Sequence, residues 1–141
     1  MAAYDPAMSD PSPAVDVVRA IYDALSAGDL AAVFGHLDET CTITQDARLP
    51  WGGEFRGHDG FATFGLALRG AIESQVTIDA IFEADGDVFQ VGRTKGSVNA
   101  TCAPFDVAEV HRWTIRDGKA VAAHFAIDTP AMLAALGAHT D

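Results

Sequence analysis

The sequence predicts an α+β domain in which helices cover one face of a curved, largely antiparallel sheet. Apolar residues recur at helical spacing in the first half of the chain, and from about residue 74 the period changes to two. Asp-Gly pairs at 85–86 and 117–118 lie between alternating runs, which is a strong signal for tight hairpins. At 141 residues the chain is most simply one domain, which we place at 12–141 after a flexible tail at 1–11.

The helices are predicted from their ends and from their apolar faces. Ser12 can cap a first helix and Pro13 is tolerated at its first position, while Gly28 can end it. Asp29 begins a short second helix, and a third helix begins at about Asp59. The apolar face of this third helix carries Phe61, Phe64 and Leu68.

The strands are predicted from alternation and from the turn residues between them. They are 40–46, 74–84, 87–97, 105–116 and 119–128. A short last helix at 129–137 is predicted to be capped by Thr129, with Pro130 behind it. The order is therefore helices first and then a long antiparallel meander.

Charge and composition exclude several classes of function. The formal charge of −11, from 20 acidic against 9 basic residues, opposes binding to nucleic acid or to an anionic membrane. The N-terminal residues lack a signal-peptide pattern, and no apolar stretch approaches the length of a membrane span. Cys41 and Cys102 match no metal-ligand spacing and are expected to be free, half-buried thiols, with a disulfide between them as the alternative. We expect a cytoplasmic protein.

The last hairpin is predicted to bring two histidines together. If Asp117 and Gly118 form the turn, the numbers of two residues that face each other across the hairpin add up to 235. His111 then lies opposite His124. Asp128 then lies on the same face. Two imidazoles in a partly dry site cannot both be charged, and such a pair suits proton transfer to or from a small molecule. Cross-strand histidines can equally satisfy local hydrogen bonds or face a subunit contact.

Three segments carry a resemblance to a known family: "IYDALSAGDLAAVFGHLDETCTIT", "LPWGGEFRGHDGF" and "VHRWTIRDGKAVAAHFAIDTPAMLAAL". With the strand order, they make the chain resemble SnoaL-like polyketide cyclases and ketosteroid isomerase-like proteins of the nuclear-transport-factor-2-like superfamily. The resemblance implies a conical half-barrel, in which a curved sheet wraps around three N-terminal helices and encloses an apolar pocket. It also implies a homodimer.

The resemblance further implies a set of site residues. The family's polar catalytic position on this hairpin matches His111 and turns into the cone, so that by parity Trp113, His124 and Asp128 turn inward too. His111, His124 and Asp128 would then share acid/base work on a small apolar molecule, without a cofactor. Asp128 can alternatively cap the last helix. The substrate contacts would come from Trp51, Trp113, Tyr22, Phe61, Phe64 and Gln45.

The loop "PWGG" explains the position expected for Trp51. In such a cone Trp51 folds over the pocket mouth, while Gly52 and Gly53 let the backbone turn tightly beneath it. Trp51 can alternatively seal the core at the open end of the cone.

Departures from the family argue against two of its activities. The three catalytic positions of the steroid isomerases fall here on Ile21, Gln45 and His111. The Asp-Arg-Asp set of the epoxide hydrolases finds Arg93 and Asp128 but lacks its other acid. Neither steroid isomerisation nor epoxide hydrolysis is therefore expected.

Three kinds of function stay open at this point. The first is the cofactor-independent acid/base enzyme, an isomerase, cyclase or hydratase. The second is a non-catalytic ligand-binding or dimerisation module. The third, a metal site from His111, His124 and Glu109, has neither spacing nor family in its favour, and no metal is expected. The outward face of the hairpin, with Val121, Phe125 and Ile127, is apolar enough for a subunit contact.

Overall fold

One six-stranded sheet and four helices make up residues 12–137, the part of the chain that the computed structural model describes. The helices are α1 (Pro13–Ala27), α2 (Leu30–Gly35), α3 (Gly57–Ala71) and α4 (Thr129–Leu136). The strands are β1 (Leu37–Gln45), β2 (Gly53–Arg56), β3 (Ile72–Ala84), β4 (Asp87–Val98), β5 (Pro104–Arg116) and β6 (Lys119–Ile127). The predicted α+β class is confirmed.

The order of the strands creates the curved wall of the fold. They lie as β2-β1-β6-β5-β4-β3, with β1 parallel to β6 and every other pair antiparallel. Helices α1 and α3 contribute the buried side chains that share one apolar core with the sheet. The sheet wrapped around helices is therefore the architecture that the sequence predicts.

Both hairpin turns form at the Asp-Gly pairs. Asp85 and Gly86 have φ of 53° and 82°, and Asp117 and Gly118 have φ of 51° and 77°. Positive φ at both central residues is the mark of the tight turn that matches strand twist. Both predicted turn positions are confirmed.

The ends of α1 follow the sequence closely. The Ser12 side chain accepts a hydrogen bond from the Val15 amide, Pro13 is the first helical residue, and Gly28 closes the helix at φ 71°. Asp29 caps α2 in the same manner through the Ala32 amide.

Apart from shifts of one to three residues at several element ends, two local features differ from the prediction. The edge strand β2 lies within the segment predicted as a loop, because four residues are too few to show alternation. The cap of α4 is Asp128, whose side chain accepts from the Ala131 amide at 3.1 Å, while Thr129 is already helical. The alternative reading of Asp128 as a helix cap is therefore confirmed.

A β-bulge in the last hairpin changes the register that the turn alone predicts. Ile115 pairs with Ala120 as expected, but Thr114 pairs with Ala122, which leaves Val121 as the extra residue. Beyond the bulge, the numbers of paired residues add up to 236 instead of 235, so that His111 lies opposite Phe125. The predicted pairing of His111 with His124 is wrong.

The two cysteines are free, but neither is half-buried: Cys41 is buried and Cys102 is exposed. Within the described residues, none of the helices is both long and apolar enough to span a membrane. The predicted tail at 1–11 lies outside the described residues, so it stays a prediction.

Candidate active site

A cavity of about 180 Å³ lies between the inner face of the sheet and the helices. Its wall is mostly apolar, with a few polar side chains that converge on it. The structure places His111 and all six predicted substrate contacts on this wall: Trp51, Trp113, Tyr22, Phe61, Phe64 and Gln45.

Strand β5 supplies the polar floor of the cavity. Exposed and buried residues alternate strictly from Pro104 to Trp113, and Glu109, His111 and Trp113 share the inner face. This is the inward orientation that the resemblance implies for His111. His111 and Trp113 line the cavity, whereas Glu109 lies behind the imidazole and is 2 % exposed.

A chain of hydrogen bonds fixes the tautomer of His111. The Trp113 indole N–H, which can only donate, bonds to the Tyr22 hydroxyl oxygen at 3.0 Å. The hydroxyl proton of Tyr22 is then left for Nδ1 of His111, at 2.7 Å. With Nδ1 as the acceptor, a neutral imidazole carries its proton on Nε2, and Glu109 Oε1 lies 3.4 Å from Nε2.

Glu109 is a buried carboxylate held by donors on the neighbouring strand. Gln90 Nε2 donates to Oε2 at 2.6 Å, and the Thr94 hydroxyl donates to Oε1. Burial raises the pKa of Glu109, and these two hydrogen bonds oppose that rise. Glu109 is therefore a stronger proton acceptor than an ordinary surface carboxylate.

Burial also determines the protonation states of His111 and Tyr22. It lowers the pKa of His111 to about 3 and raises the pKa of Tyr22. At neutral pH the imidazole is neutral and the phenol protonated, which agrees with the hydrogen-bond chain. The floor of the cavity thus combines a neutral base, a neutral donor and a buried carboxyl group.

The lowered pKa of His111 predicts an acid sensitivity of the fold. Between about pH 3 and the ordinary value of 6.5, the unfolded chain binds a proton here that the folded protein does not. The free energy of unfolding therefore falls as pH falls through this window. From pH 7 to about pH 5, the wild type should lose about 2 kcal/mol more than His111→Gln, at roughly 1.4 kcal/mol per pH unit below 6.5. Urea denaturation at both pH values measures this difference, and parallel losses would contradict it.

Trp51 lies in the wall of the cavity rather than over its mouth. It is 2 % exposed, and its indole N–H donates to Gln45 Oε1 at 2.7 Å. Gln45 Nε2 in turn donates to the Phe125 carbonyl at 3.0 Å. This relay ties the "PWGG" loop to β6, which is why an indole in a glycine-rich loop stays buried.

The structure does not bring His124 and Asp128 to the cavity. Because of the bulge at Val121, His124 is on the outer face of the sheet, where it is exposed and bonded to Thr44 Oγ1 at 2.7 Å. Asp128 is exposed and engaged in the α4 cap. The expectation that both turn inward is wrong, and His111 alone remains of the predicted catalytic set.

The outward orientation of His124 also separates the three residues considered as a metal site. His111 and Glu109 face inward while His124 faces outward, so one ion cannot be shared by all three. Across residues 12–137, there is no group of three or more His, Cys, Asp or Glu side chains placed to hold a metal ion.

Sequence reasoning missed the role of three polar residues: Glu109 and Gln90, which are buried, and Thr94, which is partly buried. Glu109, His111 and Trp113 are at every second position of β5 and therefore point to the same face of the sheet. An acidic residue on the inward face was the signal that could have identified Glu109. Gln90 pairs with His111 across β4 and β5, a contact between residues far apart in the chain. Such a partner cannot be found without the strand register.

Comparison with known proteins agrees with this architecture. The sequence model described as "SnoaL-like domain" matches residues 18–123. Among curated proteins, none matches the chain significantly.

Solved structures show the same fold at low sequence identity. An NTF2-like protein from Burkholderia thailandensis is 25% identical, with a TM-score of 0.82 over 90% of this chain and 98% of that one. TerC, co-crystallised with polyporic acid, is 20% identical, with a TM-score of 0.81 over 89% and 98%. A Catenulispora acidiphila protein with a ketosteroid isomerase-like fold, in complex with trimethylamine, is 20% identical, with a TM-score of 0.70 over 86% and 92%.

Proposed function

Because this chain belongs to the SnoaL-like family, we propose that it is a cytoplasmic, cofactor-independent acid/base enzyme acting on a small apolar molecule. The observation that carries the proposal is the neutral His111 on the floor of an apolar cavity, between the Tyr22 hydroxyl and the buried Glu109. A neutral imidazole can accept a proton on one nitrogen and release one from the other. The reaction class is the removal of a proton from a carbon next to a carbonyl group.

In the proposed step, the substrate carbonyl oxygen replaces His111 Nδ1 as the acceptor of the Tyr22 hydroxyl. Nδ1 then takes the proton from carbon, and the electron pair of the C–H bond moves into the enolate. The Nε2 proton passes to Glu109, so that no bare positive charge stays on the buried ring. Tyr22, itself held by Trp113, stabilises the enolate oxygen through its O–H.

The fate of the enolate decides the net reaction. Return of the proton to a different carbon gives isomerisation, and attack on a second carbonyl group gives cyclisation. The apolar wall excludes water from the enolate and lowers the local dielectric, which strengthens the bond from Tyr22.

A small apolar ketone tests the proposal without knowledge of the natural substrate. 2-Tetralone has acidic C–H groups next to its carbonyl, and proton NMR in deuterium oxide follows their exchange. We expect the protein to accelerate this exchange with saturation kinetics, and tetralin, which lacks the carbonyl, to inhibit competitively. Saturable binding of 2-tetralone without faster exchange would contradict the enzyme proposal.

One observation favours a second candidate, a non-catalytic pocket protein. Both ring nitrogens of His111 have partners within the protein itself, which is also what a purely structural histidine requires. Binding of 2-tetralone without exchange is the result that this candidate predicts.

We also propose a homodimer formed through the outer face of the sheet. Phe82 stacks on Phe89 at 5.8 Å between ring centroids, and Val110 on β5 lies on the same face, with Phe82 and Val110 each 42% exposed. An exposed apolar patch of this kind is typical of a subunit contact. The outward face that the sequence predicts for Val121, Phe125 and Ile127 is wrong in part, because Phe125 and Ile127 line the cavity instead.

Val110→Asp tests the dimer, because it places a charge on this patch. We expect sedimentation velocity to show a dimer for the wild type and a monomer for the variant at the same concentration. Leu66→Asp, on an exposed site of α3, is the matched control and should leave the dimer intact. A wild-type monomer, or equal behaviour of both variants, would rule out this interface.

A further inference from the structure

The mouth of the cavity is identified by which of its lining residues reach solvent. Leu25, Leu30 and Val76 are each about 40% exposed and line the cavity, and Arg69 at the end of α3 is exposed beside them. The cavity therefore opens between the helix ends and the start of β3. Arg69 is the one charged side chain among the described residues that line it, since His111 is neutral.

The backbone of Arg69 is tied down, while its guanidinium lacks an ionic partner among residues 12–137. Within residues 12–137, no carboxylate lies within salt-bridge distance of its guanidinium, whereas Arg48 and Arg93 are paired with Asp46 and Asp106. The Asn99 side-chain amide donates to the Arg69 carbonyl at 2.8 Å and ties down the end of α3. Gly65, one turn earlier, leaves room for the guanidinium: a Cβ there would lie 3.1 Å from Arg69 Nη1.

The charge of Arg69 is opposite in sign to the net charge of the chain. Acidic residues outnumber basic ones by 20 to 9, and the overall field repels anions. At the rim of an apolar cavity, a guanidinium is the local exception to that field. Its planar fork of donors matches a carboxylate in a two-point bond.

We infer that Arg69 binds the carboxylate of the substrate at the mouth, while the apolar body of the same molecule fills the cavity. This inference rests on the proposed function and narrows it to one substrate class, small apolar carboxylic acids. The polar floor at His111 then meets the part of the molecule that lies deepest, and Arg69 sets the direction in which the molecule enters.

Paired probes separate the contribution of Arg69 from that of the cavity. 2-Naphthoate and 2-naphthamide share a shape and differ in charge, and isothermal titration calorimetry measures the affinity of each. We expect the wild type to bind the carboxylate about tenfold more tightly than the amide. Arg69→Gln should remove that preference and leave the amide affinity unchanged, and Arg69→Lys should restore part of it. Arg112→Gln, on the outer face of the sheet, should change neither affinity.

The possible outcomes distinguish this inference from the proposed function. Equal binding of both probes to the wild type, or an equal loss of both in Arg69→Gln, overturns the role of Arg69 and leaves the cavity as a binding site. Binding of neither probe overturns the cavity as a binding site and the role of Arg69 together.

Discussion

Replacing His111 with glutamine is expected to slow the exchange of 2-tetralone by at least about 100-fold, the usual contribution of a general acid or base. Glutamine has a similar length and can donate a hydrogen bond to Glu109, but its amide nitrogen cannot accept a proton. The variant should therefore keep the cavity and lose the proton transfer. Titration with tetralin checks that the cavity still binds an apolar molecule.

His124→Gln is the matched control for this prediction. It makes the same chemical change on the neighbouring strand, at an exposed site on the opposite face of the sheet. We expect its exchange rate to equal that of the wild type. If the two variants lose activity equally, or if His111→Gln exchanges at the wild-type rate, His111 is not the base.

Gly52→Ala is expected to destabilise the fold by about 3 kcal/mol, because the new methyl group has no space. A Cβ at position 52 would overlap the carbonyl oxygen of Asp46 and lie 2.7 Å from its carbonyl carbon. Both are backbone atoms, so no side-chain rotation relieves the contact. The loop here is two successive turns, closed by amides of Leu49 and Gly52, and it carries Trp51 into the wall.

Chemical denaturation measures this loss, followed by the combined fluorescence of Trp51 in the loop and Trp113 on β5. Gly35→Ala makes the identical substitution where a Cβ would meet open space at the end of α2. It should leave the free energy of unfolding unchanged or raise it by up to about 1 kcal/mol. Similar losses in both variants would mean that the clash at position 52 does not govern stability.

The local elements could be predicted because their signals are contained in a few adjacent residues. The Asp-Gly turns, the Ser12 cap and the Gly28 stop each depend on the conformational preference of one or two residues. Strand β2 could not be found in this way, since an edge strand of four residues is fixed by its pairing with β1 and not by its own pattern.

The candidate site could be predicted only in part because it depends on parity along β6. The turn at 117–118 is where the sequence predicts it, but a parity argument holds only as far as the first bulge. The sequence did contain a warning. Parity from the turn placed His124 inside, whereas Phe125 and Ile127 are far more apolar than His124 and Ala126 and belong in a core. Such a conflict between register and hydrophobicity is itself a sign of a bulge.

The extra residue at Val121 also has a consequence for how this gene can change. Deleting that single codon would restore an unbroken ladder and leave Phe125 opposite His111. Inserting one codon between Val121 and Ala122, with the bulge kept, would instead place His124 opposite His111 and turn Phe125 to the outer face. A three-nucleotide insertion would thus exchange an aromatic ring for a second imidazole inside the cone, with no amino acid replaced. A single inserted residue in this strand would therefore change which groups face the cavity without any substitution.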